Sequence, residues 1–149
     1  MIMVSIRHFS GSDIDVLRTN LYPYLSLEEI RLMVQDWNSG SYLGKRFEMF
    51  AVLNGKEIVG TISLYEHSKS VASIGAEILE PHRRKGYAYE ANLLLLEYAK
   101  QIGYKVIQNQ VRTDNAASIR LNEKLGFESD KYVYKNKRDQ AVYLFLKVL

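Results

Sequence analysis

Two apolar runs rich in β-branched and aromatic residues, 47–53 and 57–64, meet at Asn54-Gly55. That dipeptide tolerates positive φ and suits a tight hairpin turn, so the runs are predicted to pair as antiparallel strands. A third run, 71–79, follows and ends before Pro81. The middle of the chain is thereby committed to a sheet. From Tyr87 the apolar spacing turns helical as far as about Ile102, with Gly103 as the stop. Residues 105–112 read as another strand, 115–125 as another helix, and 132–135 with 141–147 as a closing antiparallel pair.

Before the hairpin, residues 5–8 read as a short strand, and Ser10-Gly11-Ser12 separates it from a helical stretch at 13–19. Pro23 interrupts. Ser26 and Glu29 form a capping-box pattern that opens a helix over 27–37, with Ile30, Val34 and Trp37 on one apolar face. Residues 38–44 read as a loop. The order is strand, two helices, three strands, helix, strand, helix, two strands. It predicts one α+β domain over 1–149, with a central mixed, mostly antiparallel sheet of about seven strands flanked by about four helices. No repeat or linker interrupts it.

Composition narrows the functional classes. A chain of 149 residues, 47% apolar and 25% charged, can bury a core without staples. It contains no cysteine, which excludes a disulfide framework, a thiolate metal site and a cysteine nucleophile, and suits a reducing cytosol. The apolar opening 1–6 stops at Arg7-His8, too short for a secretion signal, and no apolar run approaches membrane-spanning length. A soluble, cytoplasmic protein without membrane partners is expected. His8, His67 and His82 show no ligand spacing, so no metal is expected. The net charge of +3 fits nucleic acid or a phosphorylated small molecule equally, and only its distribution can decide.

The most informative cluster is Arg83-Arg84-Lys85-Gly86, placed directly before the long helix. A helix start ordinarily recruits Ser, Thr, Asp or Asn to satisfy its first N–H groups, and cations there oppose the helix dipole by up to about 1 kcal/mol each. A bound anion reconciles both departures: free backbone N–H groups and flanking cations hold phosphate oxygens, and Gly86 lets the main chain come close. A solvated charge run is the plain alternative. The glycine patterns of dinucleotide-binding Rossmann folds and of NTPase P-loops are both missing.

Arg83-Arg84-Lys85-Gly86-Tyr87-Ala88, between a strand and a long helix, resembles the (Gln/Arg)-x-x-Gly-x-(Gly/Ala) motif of the Gcn5-related N-acetyltransferases (GNAT). About thirty residues on, TDNAASIRLNEKLGF, residues 113–127, is similar to that family's later motif, in which an Asn opens a helix and Lys-x-Gly-Phe closes it. Element order agrees over nearly the whole chain. The resemblance implies an acyl-coenzyme A site in which Arg83, Arg84, Lys85, Gly86, Tyr87 and Ala88 hold the diphosphate. Ile78 and Leu79 would pair their backbone with the pantetheine arm, and Asn115 would face the cofactor. The strand ending at Leu79 is implied to splay from the strand at 107–112, with the thioester in the opening. Asn115 and Ser118 also read simply as a helix cap and first-turn polar residue, and Gly126-Phe127 as a helix stop.

The implied reaction moves an acetyl group directly from acetyl-coenzyme A to a primary amine on a small molecule, peptide or protein N-terminus. A neutral amine is required: an α-amino group of pKa ~8 needs little help, a lysine-like amine near 10.4 needs more. The resemblance places the oxyanion donor at a backbone N–H near Leu79. Glu77 is the candidate base, because alternation places Gly75, Glu77 and Leu79 on one face and the apolar neighbours suggest burial that would raise its pKa. Two positions depart from the family pattern. Gln110 stands where relatives carry a glutamate base, and Asn122 stands where they carry a tyrosine acid. Ser118 or water is then the candidate proton donor. Tyr22, Tyr24, Glu28, Glu29, Trp37 and Tyr42 are expected around the acceptor, with Asp36 as a further attractive charge.

Two other readings compete. Gln110 and Asn122 would suit a catalytically silent acyl-coenzyme A module. A nucleic-acid binder using 83–85 and 131–138 would need a long basic stripe with interleaved aromatics, which the sequence lacks, so no nucleic-acid partner is expected. An amine acceptor is the expected partner, with a homodimer as one assembly open to the chain.

Overall fold

A computed structural model describes residues 3–149, so the apolar opening read at 1–6 lies partly outside the described residues. The chain runs β1 (Val4–His8), a 3-10 turn (Gly11–Asp13), α1 (Ile14–Asn20), α2 (Leu27–Trp37), β2 (Ser41–Tyr42), β3 (Lys45–Asn54), β4 (Glu57–Glu66) and β5 (Val71–Ile78). A second 3-10 turn (Glu80–His82) leads to α3 (Tyr87–Gln101), β6 (Val106–Arg112), α4 (Ala116–Lys124), β7 (Tyr134–Lys135) and β8 (Ala141–Val148). The sheet order is β1-β3-β4-β5-β6-β8-β7, with β2 paired to β3. Among the described residues only β5 and β6 run parallel.

The α+β architecture and four helices agree with the sequence reading; the eighth strand does not. Residues 38–44 contain β2, which pairs Ser41 with Arg46 and Tyr42 with Lys45 around Leu43 (φ 52°) and Gly44 (φ 79°). Two residues are too few to show alternation, so this small hairpin left no periodic trace. The stretch expected to start at 13 begins as a 3-10 turn, and the strand expected at 132 begins at Tyr134. In the larger hairpin Asn54 remains in the ladder opposite Glu57, and the positive φ falls on Gly55 alone.

The sheet separates two cores. On one face Val52, Ile62, Leu64 and Ala72 pack against Ala91, Leu95 and Ala99 of α3. On the other, Ala51, Leu53 and Ile58 meet Leu17 of α1 with Ile30 and Val34 of α2, the latter two from the stripe read in sequence. Glu48, buried on the α3 side, accepts hydrogen bonds from Tyr98 Oη at 2.8 and 2.9 Å and tethers the helix to β3. Burial first, then Glu48, push the Tyr98 phenol up to about 12. The capping box at Ser26 and Glu29 forms as expected.

The entry to α1 is held by charge. Arg7 Nη1 and Nη2 donate to the two oxygens of buried Asp13 at 2.8 and 3.0 Å, and Ser10 N donates to the same carboxylate. The Arg7 bond holds the Asp13 pKa below the ordinary carboxylate value, against the opposing effect of burial. The stabilisation is therefore complete above the unfolded-state pKa, ~3.9, and is lost as pH falls through the lower folded value. Acid titration of unfolding should show Asp13→Asn losing part of the wild-type stability drop below about pH 4; an unchanged acid limb would refute the assignment.

Gly60 lies opposite Ile78, and a Cβ there would meet the Glu77 carbonyl oxygen at 2.3 Å and Ile78 Cα at 2.9 Å. Both are backbone atoms that cannot move aside alone. Gly60→Ala should cost about 1–3 kcal/mol in chemical denaturation and disturb the end of β5 that borders the site.

Candidate functional site

The loop between β5 and α3 leaves backbone N–H groups without a side-chain cap and cations without ion-pair partners among the described residues. Gly86 is the N-cap of α3 at φ 86°, a left-handed conformation that suits glycine, and no side chain caps the helix. Arg84 sits at φ 64°, uncommon for a residue with a Cβ. Arg83, Arg84, Lys85 and Gly86 are all exposed, and none of the ion pairs among the described residues uses these three cations. His82 pairs instead with Glu57 at 3.1 Å, anchoring the loop to β4. Tyr87 is buried, its hydroxyl accepting from Asn54 Nδ2 at 3.0 Å, so among the expected ligands it offers only its backbone N–H.

Beside this loop the sheet opens. β5 and β6 pair only at Val71 with Val106 and at Ala72 with Ile107, although both strands continue for several residues. Leu79 N donates to Val59 O at 2.9 Å, so of the backbone N–H groups near Leu79 its own is committed to the sheet and cannot donate to an oxyanion. Strand alternation turns the Ile78 N–H toward the opening instead. The Ile78 carbonyl already accepts from Arg83 Nε at 2.8 Å, so Arg83 is partly engaged in shaping the loop.

At the vertex of the opening stands a buried amide chain. Ile74 N donates to Asn109 Oδ1 at 3.0 Å, Asn109 Nδ2 to Asn122 Oδ1 at 3.1 Å, and Asn122 Nδ2 to Ser118 O at 2.9 Å. Asn109 and Asn122 are 7% and 5% exposed. Asn122, at the position expected for an acid, is thus hydrogen-bonded through both its amide oxygen and its amide nitrogen. Asn115 caps α4 by accepting from Ser118 N at 3.1 Å, which satisfies its structural reading. Ser118, half-buried, lies one turn above Asn122 on the same helix face.

The opposite side of the opening belongs to the α1 and α2 face. Glu77 pairs across β4 with Thr61, which in turn lies opposite Ala51 in the α1–α2 core. Glu77 is exposed, so the burial expected from its apolar neighbours is not realised. Burial and then the charge of Glu77 raise the Tyr22 pKa, which places that phenol near the carboxylate and keeps its proton on. Gln110 is exposed on the same face.

Farther along this face, Asp36, Trp37, Ser41, Tyr42, Phe47 and Tyr65 line a cavity of about 360 Å³. Of the residues expected around the acceptor, Trp37, Tyr42 and Asp36 meet here, and the Tyr22 ring lies 6.4 Å from that of Trp37, tilted by 56°. Glu28 and Glu29 do not: Glu28 pairs with Arg31 and Glu29 completes the α2 cap. Phe47 and Tyr65 were missed because a bulge at Val52/Leu53 shifts the hairpin register and sets them opposite one another. Among the described residues no cluster of His, Cys, Asp or Glu could hold a metal.

A profile of the acetyltransferase (GNAT) domain matches residues 6–128. An uncharacterized N-acetyltransferase of Bacillus subtilis is 33% identical over 135 residues, covering 82% of this chain and 75% of its own. A second, from the SPbeta prophage of the same species, is 30% identical over 105 residues, covering 68% of this chain; the match spans only 59% of that relative's length. The fold is similar to that of a Salmonella typhimurium acetyltransferase that modifies the N-terminal serine of a 50S ribosomal subunit protein, with TM-score 0.79 and 20% identity over 98% of this chain and 95% of the other. It is also similar to a Vibrio cholerae spermidine N-acetyltransferase crystallised with coenzyme A and spermine, with TM-score 0.78 and 20% identity over 97% and 95%. With the uncapped α3, the parted strands and the family profile in agreement, this chain belongs to the GNAT family of acetyltransferases.

Proposed function

We propose that residues 1–149 act as one unit that transfers an acetyl group from acetyl-coenzyme A to a primary amine. The observation that carries this reading is the N-terminus of α3: uncapped backbone N–H groups and unpaired Arg84 and Lys85 lie beside the open edge of β5. Arg84, Lys85 and the N–H groups of Gly86, Tyr87 and Ala88 would hold the diphosphate, with Arg83 bracing the loop through Ile78 O. Asn115 borders the same end of the opening, although its amide oxygen is occupied as a cap. When bound, acetyl-coenzyme A supplies a thioester whose carbonyl carbon accepts the amine's electron pair and whose sulfur departs carrying the electrons of the C–S bond.

The residues of the chain supply the rest. By the same alternation the Ala76 and Ile78 N–H groups both face the opening, and Ala76, the nearer to Asn109, is the donor available to a developing oxyanion. Glu77, on the acceptor face, takes the proton that the amine loses. Ser118 hydroxyl, or water, lies on the α4 side to protonate the departing sulfur; a thiol of pKa about 8.5 leaves tolerably without strong acid help. Base and donor thus approach from opposite sides of the sheet. The cavity beneath Trp37 and Tyr42, aromatic with one carboxylate, suits an acceptor with an apolar or cationic body, and the structural neighbours that act on spermidine or a protein N-terminus are consistent with an amine acceptor. No described helix is long and apolar enough to cross a membrane; a cytoplasmic site of action is part of this proposal.

Incubating the protein with acetyl-coenzyme A and a panel of primary amines while following thiol release tests the activity. Tight coenzyme A binding with no thiol release on any amine would favour the silent module. Two variants divide the roles. Gly86→Glu adds negative charge and a Cβ where φ is 86°; calorimetry should show coenzyme A affinity weakened by about 100-fold or more, while circular dichroism reports a retained fold. Glu77→Gln should lower kcat by about tenfold or more with coenzyme A affinity unchanged; an unaltered rate across the pH range would remove Glu77 from the mechanism.

A further inference from the structure

We infer that the buried Asn109–Asn122 pair is the floor of the acyl cleft: it fills the vertex where β5 and β6 part and limits how long an acyl group the opening accepts. The inference rests on the acyl-transfer reading for the identity of the occupant. Its own basis is the register. Continuing the pairs Val71 with Val106 and Ala72 with Ile107 brings Ile74 opposite Asn109. At that point a parallel ladder would present a β6 backbone carbonyl to the Ile74 N–H. The Asn109 side-chain oxygen takes that place at 3.0 Å. A carboxamide inserted between two strands holds their backbones farther apart than a direct ladder bond does, and it satisfies an N–H that would otherwise be orphaned where the strands separate.

The wedge is itself braced. Asn109 Nδ2 donates to Asn122 Oδ1, and Asn122 Nδ2 donates to the Ser118 carbonyl, so each amide has donor and acceptor engaged in one direction. Neither side chain is free to rotate without losing a buried partner. The chain of bonds links the vertex of the opening to the first turns of α4, where Ser118 sits. Asn109 and Asn122 are therefore positioning residues. They explain Asn122 as well: at this position the chain carries a spacer whose amide partners Asn109.

The test compares Asn109→Ala with the wild-type protein in two readouts. Calorimetric affinities for acetyl-, propionyl- and butyryl-coenzyme A require no turnover, and kcat/KM for the same series adds the rate. Removing the carboxamide should improve the propionyl-to-acetyl ratio by about tenfold or more, the usual scale for one methylene in a fitted pocket. Hydrogen exchange at the Ile74 amide should accelerate by at least about tenfold, since its acceptor is gone. A folded Asn109→Ala protein with unchanged acyl preference overturns the inference. If that variant does not fold, Asn122→Ala decides: it leaves the Ile74 bond in place but removes the brace. A smaller shift toward longer acyl groups supports the floor, and an unchanged preference overturns it. Wild-type protein that transfers no acyl group at all would sink the proposed activity, whereas the affinities and the Ile74 exchange would still judge the wedge.

Discussion

The early parting of β5 and β6 is the constraint on which the rest of this molecule turns. Two parallel strands that stay paired for only two residues leave β5 with an unpaired backbone edge inside the sheet. Such an edge leaves backbone N–H and C=O groups for water or an extended ligand to pair. The connection through α3 brings the helix N-terminus to the same end of β5. An extended ligand arm and an anionic group are thus accommodated side by side, at the carboxyl ends of parallel strands where α/β sheets commonly bind ligands.

Several locally unfavourable choices converge at that point. Arg84 adopts a left-handed conformation, α3 begins without a side-chain cap, and three cations stand before the positive end of the helix dipole. Each disfavours the empty protein, and the proposed diphosphate would offset them together. Gly60 serves the same region from behind. Its missing Cβ lets β4 press against the Glu77–Ile78 backbone and so sets the height of the edge that borders the cleft.

The two faces of the sheet divide the groups proposed for the chemistry. The α3 and α4 side supplies the anion loop, the amide wedge and Ser118; the α1 and α2 side supplies Glu77, Tyr22 and the aromatic cavity. The slot between β5 and β6 connects them. In the proposed reaction a base and a proton donor on opposite sides of such a slot would not compete for one proton, so a direct transfer would be compatible with an exposed glutamate.

Much of this was legible in the residues. The Asn54-Gly55 hairpin, the Ser26–Glu29 capping box, the Ile30 and Val34 stripe and the Gly103 stop are local devices whose meaning lies within a few neighbouring residues. The basic segment before Tyr87 was likewise readable, because a missing cap and a misplaced charge are both local facts. Side-chain commitments across the sheet were not. The exposure of Glu77, the capture of the Leu79 N–H by Val59 and the meeting of Phe47 with Tyr65 depend on register, and one bulge at Val52/Leu53 changes register without a clear mark in composition. Asn109 and Asn122, thirteen positions apart, became one device only when a strand and a helix brought their amides to 3.1 Å. The chain by itself determined which segments form strands and helices and where an anion is wanted, since those follow from short-range backbone physics. Tertiary structure alone decided how far the strands part and which polar groups remain free, since hydrogen-bond partners are chosen in space and not along the chain.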